Sequence, residues 1–130
     1  MIQDTSFLID ILAGDEAALD MLDRIERDRK PEKVSSVTVF ELYEGIERSD
    51  QPDDEKEAVL DVLDSKAVLP ANHGVMRRAG RLSGELYVAG EPIDREDCVI
   101  AATAIDEGDP VVTRNTNHFD RIPGLDVETY

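Results

Sequence analysis

The feature that most limits how this chain can fold is an alternation of short apolar runs with longer amphipathic segments, repeated from one end to the other. Met1 to Ser6, Lys33 to Ser36, Ala67 to Leu69, Pro110 to Thr113 and Leu125 to Glu128 have the length and composition of short strands. Between them, helical spacing brings Ala18, Met21, Leu22 and Ile25 onto one face of 15–29, and Val59, Val62 and Leu63 onto one face of 53–65. A further helix is predicted over 38–48, and another through Val75, Ala79, Leu82 and Leu86, closed by Gly90. The segment 94–107 is apolar nearly all round at its centre, which is the pattern of a buried helix, and Gly108 ends it. Strands that alternate with helices pair in parallel, so the predicted fold is an α/β sandwich with four or five short strands in a central sheet. The 130 residues suit one domain, 1–130, with one core.

In such a sheet, active sites gather beyond the carboxyl ends of the strands. Asp4 ends the first strand. Glu41 falls in the first turn of the helix after the second, on a start predicted at Thr38. Asp97 falls in the first turn of the buried helix, and Asn115 follows Val111-Val112-Thr113-Arg114. Three carboxylates and an amide from four segments make a hard oxygen site, suited to Mg²⁺ or Mn²⁺. Phosphodiester cleavage is the chemistry such ions serve best, by activating water and offsetting charge on the phosphate. A purely structural reading stands beside this one. Thr38 and Glu41 have the spacing of a capping box, Asp94 can cap the buried helix, and Asp4 can cap a short helix after it. Asp97 is the residue that this reading accommodates least well. It directly precedes Cys98-Val99-Ile100-Ala101-Ala102, where a buried carboxylate needs a partner or a cation.

Other residues carry weaker signals. Arg114 adjoins the proposed site and is placed to clamp a phosphate. His118, beside Phe119, reads as a packed or surface residue in preference to a ligand. Arg77, Arg78 and Arg81 form the one basic cluster without interleaved acids. Arg81 and Glu85 are spaced for an i,i+4 pair, so a solvated face is the simplest reading, with RNA or protein contact as the alternative. Cys98 reads as a core thiol, and a single cysteine excludes an intramolecular disulfide. No apolar run approaches the roughly 20 residues of a membrane span, and no basic leader opens the chain, so a cytoplasmic location is expected.

Charge pulls against a nucleic-acid substrate. Thirty acids against fourteen bases give a net charge of −16, spread along the chain. Such a surface repels phosphate at low salt and suits a medium of molar salt, so a halophilic protein is expected.

Four motifs, in order over essentially the whole chain, resemble the PIN-domain family and within it the VapC-type toxins. They are Asp4-Thr5-Ser6 with Leu8-Ile9-Asp10, Ser35-Ser36-Val37-Thr38-Val39-Phe40-Glu41-Leu42, Ile93-Asp94-Arg95-Glu96-Asp97 running into Ile100-Ala101-Ala102-Thr103-Ala104, and Val112-Thr113-Arg114-Asn115-Thr116-Asn117-His118-Phe119. The resemblance implies a PIN-like fold and a Mg²⁺- or Mn²⁺-dependent endoribonuclease, with Asp4, Glu41 and Asp97 as metal ligands. It implies Ser6 and Thr113 as supporting groups, a VapB-type antitoxin as partner, and a homodimer. At the fourth position, often Asp in the family, this chain has Asn115, which removes one negative charge and leaves open whether one or two metals bind. The alternatives are a PIN nuclease of RNA processing without an antitoxin, and a catalytically weakened binding module.

Overall fold

The computed structural model describes all 130 residues. Its strands are β1 (Ile2–Gln3), β2 (Lys33–Ser35), β3 (Ala67–Leu69), β4 (Val111–Val112) and β5 (Val127–Glu128). Its helices are α1 (Thr5–Leu12), α2 (Glu16–Arg27), α3 (Ser36–Glu47), α4 (Pro52–Leu63), α5 (His73–Val88), α6 (Arg95–Glu107) and α7 (Thr116–Phe119). The five strands form one sheet in the order β3-β2-β1-β4-β5, and every pair is parallel. The expected α/β sandwich is therefore the observed one. No helix is long and apolar enough to cross a membrane.

Alternation along the strands divides the core between the two faces of the sheet. Ile2 and Val111, paired in register, join Leu86, Ile100, Ala101, Ala104, Phe119 and Ile122 on the α5–α6 side. Val34 and Val112 join Phe7, Leu8, Met21, Ile25, Leu42, Ile46 and Val59 on the other. The helix predicted to be buried is so: Asp97 through Ala104 of α6 are all buried. Its end at Gly108 uses a left-handed backbone, φ 68°, which a glycine adopts without the Cβ penalty. Phe7 is fully buried and its ring lies 5.1 Å from that of Tyr130. Phe7→Ala is expected to cost about 3–5 kcal/mol of unfolding free energy, measured by denaturant titration.

Two local expectations are corrected. The first strand stops at Gln3, because α1 begins at Thr5 with Asp4 in the N-cap position. Helix α3 starts at Ser36, two residues earlier than predicted, and its cap is Ser35, whose hydroxyl accepts from the Val37 amide. That earlier start places Glu41 in the second turn of α3, and the predicted capping box of Thr38 and Glu41 does not form. A short helix, α7, also follows Asn115, where no helix is predicted from sequence.

Candidate active site

Asp4 lies at the carboxyl end of β1 and is 2% exposed. Its side chain makes no capping bond to α1. Instead Oδ2 accepts from the hydroxyls of Ser6 (2.6 Å) and Thr113 (2.7 Å), and Oδ1 is left free. Thr113, fully buried just after β4, accepts in turn from the Asn115 amide at 2.8 Å. The two small polar residues singled out from sequence, Ser6 and Thr113, thus fix the rotamer of Asp4 and tie β1 to the loop after β4.

Glu41 points back toward α1. Its Oε1 accepts from the Thr5 hydroxyl at 2.7 Å, and that hydroxyl lies 3.0 Å from the Thr38 hydroxyl. Burial pushes the Glu41 carboxyl up to about 7, against the lowering effect of the Thr5 bond and with added repulsion from Asp4 and Asp97. Asp97, in the first turn of α6, is pushed up to about 6, again chiefly by burial. The His118 hydrogen bond opposes that shift and repulsion from Asp4 adds to it. Glu41 and Asp97 therefore share one electrostatic environment with Asp4, although they come from three separate chain segments.

Asn115 and His118 complete the cluster. Asp97 Oδ2 lies 2.6 Å from His118 Nδ1 and 3.4 Å from Asn115 Nδ2. At 2.6 Å a single proton lies between carboxylate and ring, and Asn115 Nδ2 lies 3.0 Å from the same ring nitrogen. A carboxylate at position 115 would repel Asp97 at this separation; the amide donates to it instead. Asp94 occupies the N-cap position of α6 without a side-chain capping bond, contrary to the structural reading. Donor atoms of Asp94, Asp97 and His118 lie within 4.8 Å of one another, and the wider set of Asp4, Glu41 and Asp97 does not close to that spacing.

From sequence His118 reads as a packed or surface residue, and the structure instead puts it on Asp97. The signal the sequence offers is the spacing Asn115-x-x-His118, which places both side chains on one face of a helical turn. It is informative only once α7 is recognised. Arg114 goes the other way. Its Nη1 donates to Asp10 Oδ1 at 2.5 Å, and Asp10 also accepts from the Tyr130 hydroxyl at 2.6 Å. The guanidinium is thereby held against α1, with its side chain still 56% exposed.

The arrangement of four motif segments around one carboxyl edge is matched in known proteins. The family model for the PIN domain matches residues 1–125. This chain belongs to the PIN-domain family. Over 127 residues it is 31% identical to Ribonuclease VapC2 of Haemophilus influenzae, covering 98% of this chain and 95% of that protein. It is 32% identical over 97 residues to the tRNA(fMet)-specific endonuclease VapC of Shigella flexneri, covering 75% and 74%. The DNA-bound VapBC structure from Salmonella typhimurium superposes on this PIN domain with a TM-score of 0.88 at 29% identity, covering 98% of this chain and 96% of the other.

The donor chemistry of this PIN domain fits a hard divalent cation. Three carboxylates from separate segments face one edge, the two with raised pKa values resist ionisation in its absence, and Asp4 Oδ1 has no protein donor. A pH dependence follows. Glu41 and Asp97 have folded-state pKa values above their ordinary 4.5 and 3.8. The metal-free folded state therefore binds protons more tightly than the unfolded chain. This contribution to stability is complete below about pH 4 and is lost as pH rises through about 6–7. A cation binds the ionised form, so its stabilisation has the opposite sense. In Glu41→Gln the loss of metal-free stability between about pH 5 and 8 is expected to shrink, as measured by melting temperature against pH. In the wild type, the increment added by Mg²⁺ or Mn²⁺ is expected to grow across the same window.

Proposed function

We propose that this chain is a metal-dependent endoribonuclease and the toxin half of a type II toxin–antitoxin pair. The observation that carries the reading is the meeting of Asp4, Glu41 and Asp97 at the carboxyl edge of the sheet, in surroundings that disfavour the ionisation of Glu41 and Asp97 without a cation. Relatives of 31–32% identity bear the names ribonuclease and tRNA endonuclease, which supports RNA as the substrate. Asp4, Glu41 and Asp97 would hold Mg²⁺ or Mn²⁺. A cation bound there supplies water activation and offsets charge developing on the scissile phosphate. The chain's own residues do the positioning. Ser6 and Thr113 present Asp4 Oδ1 outward, Thr5 orients Glu41, and His118 and Asn115 hold Asp97.

A partner is supported by a groove of about 400 Å³ lined by Ile9, Leu12, Leu42, Gly45 and Val59, with Glu41 at its edge. A segment of a VapB-type antitoxin seated in it would cover the carboxylates, which is one way to silence the enzyme. Phe40, 62% exposed, and Tyr43 on α3 give a homodimer an apolar surface to use.

The test is direct. The purified chain should cleave tRNA or single-stranded RNA with Mg²⁺ or Mn²⁺ and lose that activity in chelator. Co-expression of a small neighbouring gene should relieve growth inhibition. Cleavage without any such gene would favour an RNA-processing nuclease, and no cleavage under any metal would favour a binding module.

A further inference from the structure

The acids that dominate this chain are missing from one stretch. Positions 65–84 hold no Asp or Glu, in a sequence that carries 30 of them in 130 residues. That stretch contains β3 and most of α5, including Arg77, Arg78 and Arg81. All three arginines are exposed, and none joins an ion pair. The Arg81–Glu85 pair expected from spacing is not made, although the same i,i+4 arrangement does pair Glu44 with Arg48. The guanidinium groups line a groove of about 290 Å³ together with Gly74, Leu82 and Glu85.

The groove lies on a helix that starts at the carboxyl edge of the sheet. Helix α5 begins just after β3, where the Ala71 amide donates to the Ser36 hydroxyl at the start of α3. It packs along α6, whose first turn carries Asp97, and Leu82 in the groove wall is part of that contact. Along α5, Arg77 and Arg81 are separated by about 6 Å, at 1.5 Å per residue, which is on the scale of one nucleotide step.

We propose that this guanidinium groove binds the phosphate backbone of the RNA substrate and holds it beside the acidic cleft. The inference rests on the ribonuclease reading above and adds a binding surface outside the carboxylate site. An RNA substrate must overcome the repulsion of a −16 surface, so a local region of opposite sign is required somewhere along its path. Phosphate fits this groove better than a protein segment does. Its wall offers one apolar residue, Leu82, and no pocket for a hydrophobic anchor, whereas guanidinium forks bind phosphate oxygens in pairs.

The test uses a fluorescently labelled single-stranded RNA and fluorescence anisotropy, in an Asp4→Asn background to prevent cleavage. Adding Arg77→Gln and Arg81→Gln is expected to weaken binding at least tenfold. It should also shift the slope of log affinity against log salt in the positive direction by about 1.4, or about 0.7 for each phosphate no longer neutralised. Arg77→Lys with Arg81→Lys keeps both charges and is expected to keep most of the salt dependence. Arg24→Gln with Arg27→Gln, on the acid-rich α2, should leave affinity within about twofold of the parent. Equal RNA affinity with and without the α5 arginines would overturn the proposal. Labelled polyglutamate binding that depends on those arginines, with RNA binding unaffected, would overturn it in favour of an acidic protein segment. Cleavage by the wild type is measured in parallel. Its absence refutes the nuclease reading itself, whereas cleavage with arginine-independent binding refutes only the groove.

Discussion

Asp97→Asn and Asp4→Asn are each expected to abolish RNA cleavage while leaving the fold intact. Both residues sit among groups that would hold a cation, and both are nearly inaccessible, at 8% and 2% exposed. Asparagine keeps the shape and the capacity to accept hydrogen bonds. At position 97 it can still accept from His118, and at position 4 from Ser6 and Thr113. What it removes is the negative charge that draws the cation. If the cation contributes about 4 kcal/mol to the transition state, at 1.36 kcal/mol per tenfold, the loss is on the order of 10³ in rate. Stability should move the other way. Without metal, Asp97 is repelled by Asp4 and Asp94, so removing a charge should leave the melting temperature unchanged or raise it. Cleavage assays with Mg²⁺ and Mn²⁺, thermal melts and growth inhibition on expression measure these outcomes. Cleavage retained by Asp97→Asn would overturn the mechanism. A collapsed melting temperature would assign Asp97 a structural role instead.

Both folding stability and RNA cleavage are expected to rise between about 0.1 M and molar KCl. Two effects oppose each other. Salt weakens guanidinium–phosphate contacts by making counterion release less favourable. Salt also screens repulsion among the acids and between the acids and RNA, as the Debye length falls from about 10 Å to about 3 Å. With 30 acids against 14 bases, screening has more charge to act on. Several of the cations are already paired: Lys33 with Glu107 and Asp109, Lys66 with Glu32, and Arg114 with Asp10. A KCl titration of unfolding midpoint and of cleavage at fixed Mg²⁺ is the measurement. A protein most stable and most active at low salt would refute the halophilic reading and leave the nuclease reading standing.

The sequence by itself determined the layer architecture and the edge at which the candidate site sits. Short apolar runs alternating with helical periodicity admit few arrangements other than a parallel sheet between helices. Once that is granted, Asp4 and Asn115 fall just after strands, Glu41 early in the helix that follows β2, and Asp97 in the first turn of the buried helix α6. The all-round apolar centre of α6 also marked it as buried, and it is. Only the tertiary structure decided what each of those groups touches. The hydroxyl of Thr38, in capping-box spacing, turns to Thr5, 33 residues away, because α3 begins at Ser36 and Glu41 falls in its second turn. His118 is bound to Asp97 across 21 residues, and Arg114 is drawn to Asp10 across 104. Residue type and spacing report the conformation of a segment. These contacts depend instead on the parallel register that sets β1 against β4, with Ile2 opposite Val111 and Gln3 opposite Val112, and so brings chain more than a hundred residues apart to one edge.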